Sequence, residues 1–316
     1  MIFFIIFRVK ILSKFIGKIL KSNKCKKLVS AWLETNPSNP LLVVLGPTAS
    51  GKTKLAIQLA KKFDGEIVNA DSRQIYRELE IGSAPPTNDE LAQIPHHLVA
   101  EFSPKETVST AKYRKLAEKK IREISQRGKL AILSGGHTLL ISAIVENFRF
   151  PGKADEKQRD KLIKIWQKDP QKLWKRLEKI DPELAEKIPA ENQHHLIRAV
   201  ERAENHEKPC KGRRKFNCLI LGISVERAEL YRRIDQRVEK MLKAGLLDEV
   251  KNLAKKYDRY SPALRGHGYR ELLDFLAGEK TLEQAITEIK KDTRNYAKRQ
   301  STWWRNCGFT NEIEWF

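Results

Sequence analysis

Leu41-Leu-Val-Val-Leu-Gly46-Pro-Thr-Ala-Ser-Gly-Lys-Thr53 decides the fold. Its first five residues are an unbroken run of branched apolar side chains, which suits a strand buried on both faces. Gly46, Gly51, Lys52 and Thr53 then satisfy G-x-x-x-x-G-K-[ST]. Leu55, Ala56, Ile57, Leu59 and Ala60 follow at helical spacing. Strand, glycine-bearing loop and helix in that order make a phosphate-binding loop (P-loop): successive backbone N–H groups curl around a phosphate at the positive end of the helix dipole. Lys52 adds a point charge, and the Thr53 hydroxyl offers a ligand to Mg²⁺. The loop alone does not say which phosphate compound it holds.

Outward from this motif, Glu66 to Ala70 reads as a second strand ending at Asp71, Leu130 to Leu133 as a third and Leu219 to Ile223 as a fourth. Residues 108–127 form an amphipathic helix, with Tyr113, Leu116, Ala117, Ile121 and Ile124 on one stripe. Strands alternating with helices predict an α/β fold, a doubly wound parallel sheet. Between Phe150 and Lys211 the pattern turns helical and highly charged, with Trp166, Trp174, Leu177 and Ile180 as the apolar side and no convincing strand. That stretch, 150–211, is expected to be a helical insertion domain in a core built from 39–149 and 212–316, whose C-terminal part is again helical from Glu226 onward.

Asp71 should stand at the carboxyl edge of the sheet, where such sheets bind ligands. There it suits a Mg²⁺ ligand, a general base, or simply the cap of the next turn. Adjacent histidines point to different sides of an element, so neither His96-His97 nor His194-His195 has metal-ligand geometry. Gly135-Gly-His137-Thr is a second loop expected at the same edge. Near the C-terminus, Arg294, Lys298, Arg299 and Arg305 lie among Tyr296, Trp303 and Trp304. Cations contact nucleic-acid phosphates and aromatics stack on bases, although the two tryptophans also suit a core.

Of 316 residues, 61 are Lys or Arg and 40 Asp or Glu, a net charge of +21. So large an excess repels itself in a compact fold and makes sense opposite a polyanion. Four cysteines without a CxxC pair exclude a disulfide scaffold or zinc ribbon and point to a reducing cytoplasm. No segment has the apolar length of a membrane span, so no stable membrane insertion is expected. Residues 1–38 are set aside as an extension closed by the breaker cluster Asn36-Pro-Ser-Asn-Pro40. Within them Lys10, Lys14, Lys18 and Lys21 oppose Ile11, Leu12, Phe15, Ile16, Ile19 and Leu20, so a membrane-surface helix or a transit peptide is the alternative. Nothing suggests an interface, and a monomer is expected.

Taken together, these residues resemble the tRNA dimethylallyltransferase family, bacterial type. The matches run in family order from Leu41 to Arg305: Gly46 to Thr53, Asp71-Ser-Arg-Gln-Ile-Tyr76, Ile81-Gly-Ser-Ala84, Pro95-His-His-Leu98 and Ser134-Gly-Gly136. Ala154-Asp155 with Arg159, Gln193 with Arg198-Ala-Val-Glu201, Gly268-Tyr-Arg-Glu271, Thr293 to Gln300 and Thr302-Trp303 complete the set. The resemblance implies that Gly46, Pro47, Thr48, Ala49, Ser50, Gly51, Lys52 and Thr53 hold the diphosphate of dimethylallyl diphosphate with Mg²⁺ on Thr53. Arg270 would neutralise it from the other side, and Asp71 would be the general base on the exocyclic N6 amine of the adenosine 3′ to the anticodon.

It further implies contact with the tRNA anticodon stem-loop through Asp71, Ser72, Arg73 and Gln74, through His137 and Arg159, through Gln193, His194, His195, Leu196 and Ile197, and through Arg294, Asn295, Tyr296, Ala297, Lys298 and Arg299. The chain departs from the family where His137 replaces a Thr, Pro85 a Lys, and His194-His195 two arginines. An adenylate isopentenyltransferase acting on free nucleotide, and an ATP-binding small-molecule kinase, are the competing readings. The first fits the basic insertion poorly. The second would use the P-loop in its ordinary role.

Overall fold

The computed structural model describes residues 23–149, 156–205 and 210–316, which fall into two compact units, Asn147–Arg213 and the remainder. The basic stretch from Lys10 to Lys21 and the Ala154-Asp155 match lie outside the described residues, as does the side chain of His194.

In the larger unit the elements run α1 (residues 23–34), β1 (Pro40–Leu45), α2 (Lys52–Lys62), β2 (Gly65–Ala70), α3 (Asn88–Gln93), β3 (His96–His97), α4 (Thr110–Gln126), β4 (Leu130–Gly135) and α5 (Thr138–Val145). The smaller unit holds β5 (Phe148–Arg149), α6 (Glu156–Lys168), α7 (Pro170–Ile180), α8 (Pro182–Ala185), α9 (Gln193–Glu204) and β6 (Cys210–Lys211). The larger unit resumes with β7 (Asn217–Gly222), α10 (Arg227–Lys243), α11 (Leu246–Lys256), α12 (Tyr269–Leu276), α13 (Leu282–Asn306) and β8 (Ile313–Trp315).

Six strands form one wholly parallel sheet in the order β3-β2-β4-β1-β7-β8. Leu41 to Leu45 of β1 are all buried, as the branched run requires of the sheet's interior. Helices cover both faces. Leu41, Val43 and Leu45 pack with Tyr113, Ile121 and Ile124 of α4 and with Trp304 of α13. On the opposite face Leu42 and Val44 meet Ala56, Leu59 and Ala60 of α2. The chain leaves β1 toward β2 on one side and reaches β7 on the other, so the carboxyl end of β1 lies at the switch point where such sheets bind ligands.

Two expectations change here. Residues 23–34 are not part of an extension: Cys25 and Val29 of α1 are buried against β1 and α2, with Leu28, Trp32 and Leu33 packed around them. Their spacing of three and four makes the apolar stripe that the sheet face needs. At the sheet edges β3 and β8 appear, two and three residues long, each too short for its own alternation to register.

The smaller unit buries Leu162, Leu173, Leu177, Leu196 and Val200 in its own core. The indole N–H of Trp174 donates to the carbonyls of Ala185 and Ile188, both at 3.0 Å, so its polar edge is satisfied while its ring packs. A two-residue antiparallel pairing, Phe148 with Lys211 and Arg149 with Cys210, brings the unit's two ends together. The insertion expected over 150–211 thus reaches outward to 147 and 213 and includes a strand pair that the sequence did not signal.

Candidate active site

Gly51 caps the N-terminus of α2 with φ +94°, a left-handed conformation in which a Cβ is strained, and Ala49 also has positive φ at 60°. These two residues turn the loop back on itself, and the Ser50 N–H donates to the Pro47 carbonyl at 3.2 Å. The Ser50 hydroxyl is buried there without a partner among the described residues. A buried hydroxyl left unpaired costs about 1–3 kcal/mol, which an oxygen-rich ligand offsets.

The loop is fixed from a distant part of the chain. The Thr48 N–H donates to Gln300 Oε1 at 2.9 Å, and Gln300 Nε2 donates to the Gly136 carbonyl at 2.7 Å. Gln300 is buried on α13, so one amide spaces the P-loop and the β4–α5 loop. A Cβ on Gly136 would stand 2.5 Å from that Nε2, so any larger residue there must push the amide off the Gly136 carbonyl.

Beside the loop, a cavity of about 260 Å³ is lined by Thr48, Asp71, Ser72, Arg73, His137, Arg237 and Tyr296, with Ile234, Val238, Met241, Leu246 and Ile289 as an apolar wall. Asp71 meets one of its expected ends, the cap. Its Oδ1 accepts from the Arg73 N–H at 2.8 Å and so caps the next turn, while Oδ2 keeps no protein partner among the described residues. Burial pushes the Lys52 ammonium down to about 8. Attraction to Asp71 works the other way, and repulsion from Arg237 adds to the depression. Arg237 is itself held below its ordinary range by burial, with Asp71 as its opposing charge. Two cations short of counter-charge thus converge beside one carboxylate. An anion carrying more than one negative charge offsets the desolvation of both cations at once.

Arg237 was not singled out by sequence. Its signal is a cation inside the buried stripe of α10, three residues after Ile234 and one before Val238. The arginine that was singled out sits elsewhere: Arg270 binds Glu271 Oε1 at 2.6 Å and Asp292 Oδ2 at 2.7 Å and does not line the cavity. Burial alone would raise the Glu271 carboxyl. The His267 ring 3.7 Å away, the Gly268 N–H donating at 2.7 Å and the Arg270 charge instead hold it at about 2. His267, Glu271 and Asp292 bring ligand-type atoms within 4.8 Å of one another, but the Arg270 guanidinium already bonds both carboxylates, so that cluster is an ion-pair network.

The residues expected to touch RNA divide in the same way. Arg73 donates to the carbonyls of Pro262 and Ala263, and Gln74 to those of Ser83 and Ala84, so both hold loops that wall the cavity. Arg294 forks onto Asp235 at 2.7 and 3.0 Å. Tyr296 lines the cavity, where burial raises its phenol far above the ordinary range. Ala297 is fully buried against α10, so its side chain has no surface for RNA, while Asn295, Lys298 and Arg299 are exposed along α13. Trp304 is buried, and Trp303, 42% exposed, donates its indole N–H to Ser142. In the smaller unit, Arg159 forks onto Glu201 at 2.7 and 2.8 Å. Leu196 and Ile197 are core residues whose side chains are spent on packing, and Gln193 and His195 lie in the first turn of α9 with His195 exposed.

The family model described as IPP transferase matches residues 74–307. The chain belongs to that family. It is 43% identical over 276 residues to a tRNA dimethylallyltransferase of Acetivibrio thermocellus, covering 84% of this chain and 88% of the relative. A second such enzyme, from Pelotomaculum thermopropionicum, is 40% identical over 291 residues, covering 89% and 91%. Among solved structures, the full-length tRNA isopentenylpyrophosphate transferase of Bacillus halodurans superposes with a TM-score of 0.67 at 38% identity, over 88% of this chain and 90% of that one. A eukaryotic dimethylallyltransferase acting on tRNA gives 0.75 at 28% identity, over 88% and 74%. The family match begins at Gln74, so the P-loop and Asp71 stand on the fold and on the longer relatives rather than on the family model itself. Among the described residues no helix is long and apolar enough to cross a membrane.

Proposed function

We propose that the chain transfers the dimethylallyl group of dimethylallyl diphosphate to N6 of the adenosine 3′ to the anticodon of tRNA, as a cytoplasmic monomer. The observation that carries this reading is a single cavity in which P-loop, a carboxylate oxygen unpartnered among the described residues, a half-buried arginine and an apolar wall meet. Phosphate loop and cations alone would suit a kinase. A wall of Ile234, Val238, Met241 and Leu246 suits a five-carbon chain instead.

Lys52, Arg237 and the loop N–H groups hold the diphosphate, and the apolar wall receives the allyl chain. The exocyclic amine is a poor nucleophile, so the residues must favour both partners of the displacement. N6 bonds to C1 of the allyl group, the C1–O bond breaks, and its electron pair leaves with the diphosphate, whose growing charge the two cations stabilise. The N6 proton passes to Asp71 Oδ2. The donors of the loop fit Mg²⁺, since Thr53 and the unpaired Ser50 present only oxygens. Bound there with the diphosphate, the ion would neutralise leaving-group charge. The target base must leave its stack to reach Asp71, and exposed Lys161, Lys164, Lys168, Lys172 and Lys175 in the smaller unit, like Lys298 and Arg299 on α13, suit an RNA backbone.

Mass spectrometry of unmodified tRNA after incubation with the protein, Mg²⁺ and dimethylallyl diphosphate tests this. One five-carbon unit on the adenosine 3′ to the anticodon is expected. Gain on AMP but not on tRNA, or phosphate transfer from ATP with no allyl transfer, would overturn it.

A further inference from the structure

His137 is the residue at which this chain leaves its family's pattern inside the cavity. It occupies the N-cap of α5, where its Nδ1 accepts the Leu140 N–H at 3.3 Å. An imidazole nitrogen that accepts carries no proton, so the neutral ring has its hydrogen on Nε2. Protonating Nδ1 would set N–H against N–H, and the cap therefore holds the ring neutral. Burial acts in the same direction, pushing the imidazole below its ordinary value against the attraction of Asp71. The ring cannot turn to shed this arrangement without losing the cap, worth about 1 kcal/mol. His137 lines the cavity, and with Nδ1 engaged, its Nε2–H is the donor left for a ligand.

The backbone fixes where that donor stands. The His137 N–H donates to the Ala70 carbonyl at 3.1 Å, one residue before Asp71. Asp71, whose Oδ2 has no protein partner among the described residues, and His137 both line the cavity, from the carboxyl ends of β2 and β4. Acceptor beside donor is the pattern by which a single amide side chain reads adenine, taking the amine hydrogen and giving one to the neighbouring ring nitrogen. Here the two halves come from different residues, so one half can remove a proton while the other stays in place.

Resting on the reading above, we propose that His137 is a specificity-determining residue that holds the acceptor adenine by donating Nε2–H to the ring nitrogen beside the reacting amine. The flanking acceptors are N1 and N7, and guanine or hypoxanthine turns the first into a donor.

Anticodon stem-loops carrying adenosine, 1-deazaadenosine or 7-deazaadenosine at the target position, each given with dimethylallyl diphosphate and Mg²⁺, provide the test. One deaza analogue is expected to lower kcat/KM of the unaltered protein by about tenfold, the scale of one lost hydrogen bond. His137→Ala should lose the same factor on adenosine and no more on that analogue. His137→Asn, which keeps both a cap acceptor and a donor, should recover to within about threefold. Undiminished sensitivity of His137→Ala to the same analogue, or indifference of the unaltered protein to both, would overturn the assignment. Failure of the unaltered protein to prenylate the adenosine stem-loop would instead overturn the function on which it rests.

Discussion

The cavity beside the P-loop and the surface of the helical unit are both rich in cations, yet they are built in opposite ways. Around the cavity, Lys52 and Arg237 are desolvated and share the one carboxylate of Asp71 as counter-charge, Thr48 is fixed by a buried amide, and that carboxylate is half engaged in its own turn. In the helical unit, Lys161, Lys164, Lys168, Lys172 and Lys175 stand in water over a core of their own. Buried, converging cations select a compact anion of high charge. Exposed lysines on a helical surface offer any phosphate backbone a diffuse attraction that salt screens. On the proposed reading, chemistry and grip are divided between the two kinds of site.

Substitutions at the cavity should break this contrast most visibly. Asp71→Ala is expected to lower kcat by about a thousandfold in single-turnover transfer to tRNA, the scale of a lost general base, while diphosphate affinity holds. Arg237→Ala should lower kcat/KM for dimethylallyl diphosphate by about a hundredfold. Arg270→Ala should act differently, losing activity together with thermal stability, because it strips the buried Glu271 of its counter-charge. An equal and purely kinetic loss for Arg270→Ala would place that arginine on the substrate after all.

A pH series sharpens the comparison. Lys52 is charged below about 8, so dimethylallyl diphosphate binds the protonated form. Its Kd should rise above that pH by up to tenfold per pH unit, the limit for one linked proton, and Lys52→Met should flatten the profile. The smallest effects belong to the helical unit. Lys164→Ala or Lys168→Ala should weaken tRNA binding a few-fold in a filter or anisotropy assay, each reducing the slope of log Kd against log salt by about one if it meets a phosphate. Dimethylallyl diphosphate affinity should not move.

Much of this was legible in the chain. The run Leu41 to Leu45 and the glycine spacing that follows fix strand, loop and helix because burial and φ leave no other choice. The apolar stripe of α4 did the same for the helix over 110–126. What escaped did so for physical reasons. The stripe of α1 was overlooked because it adjoins a basic stretch and precedes a breaker cluster, although Cys25, Val29 and Leu33 carry the spacing. β3 and β8 have too few residues to show a period and exist only because neighbours supply hydrogen-bond partners. Arg237 was hidden by the very stripe that buries it. Motif likeness picked out Arg270 and Leu196, but position in a motif does not show that the first bonds Glu271 and Asp292 and the second packs in the helical core.

Gln300 also sets an order of events during synthesis. The Thr48 N–H and its partner are separated by 252 positions, so the P-loop emerges from the ribosome long before the amide that spaces it. Nor can β1 gain its neighbour β7 until the whole helical unit has been made. A nascent chain stopped anywhere before α13 therefore carries the complete glycine-lysine motif without the Gln300 amide that spaces it from the β4–α5 loop.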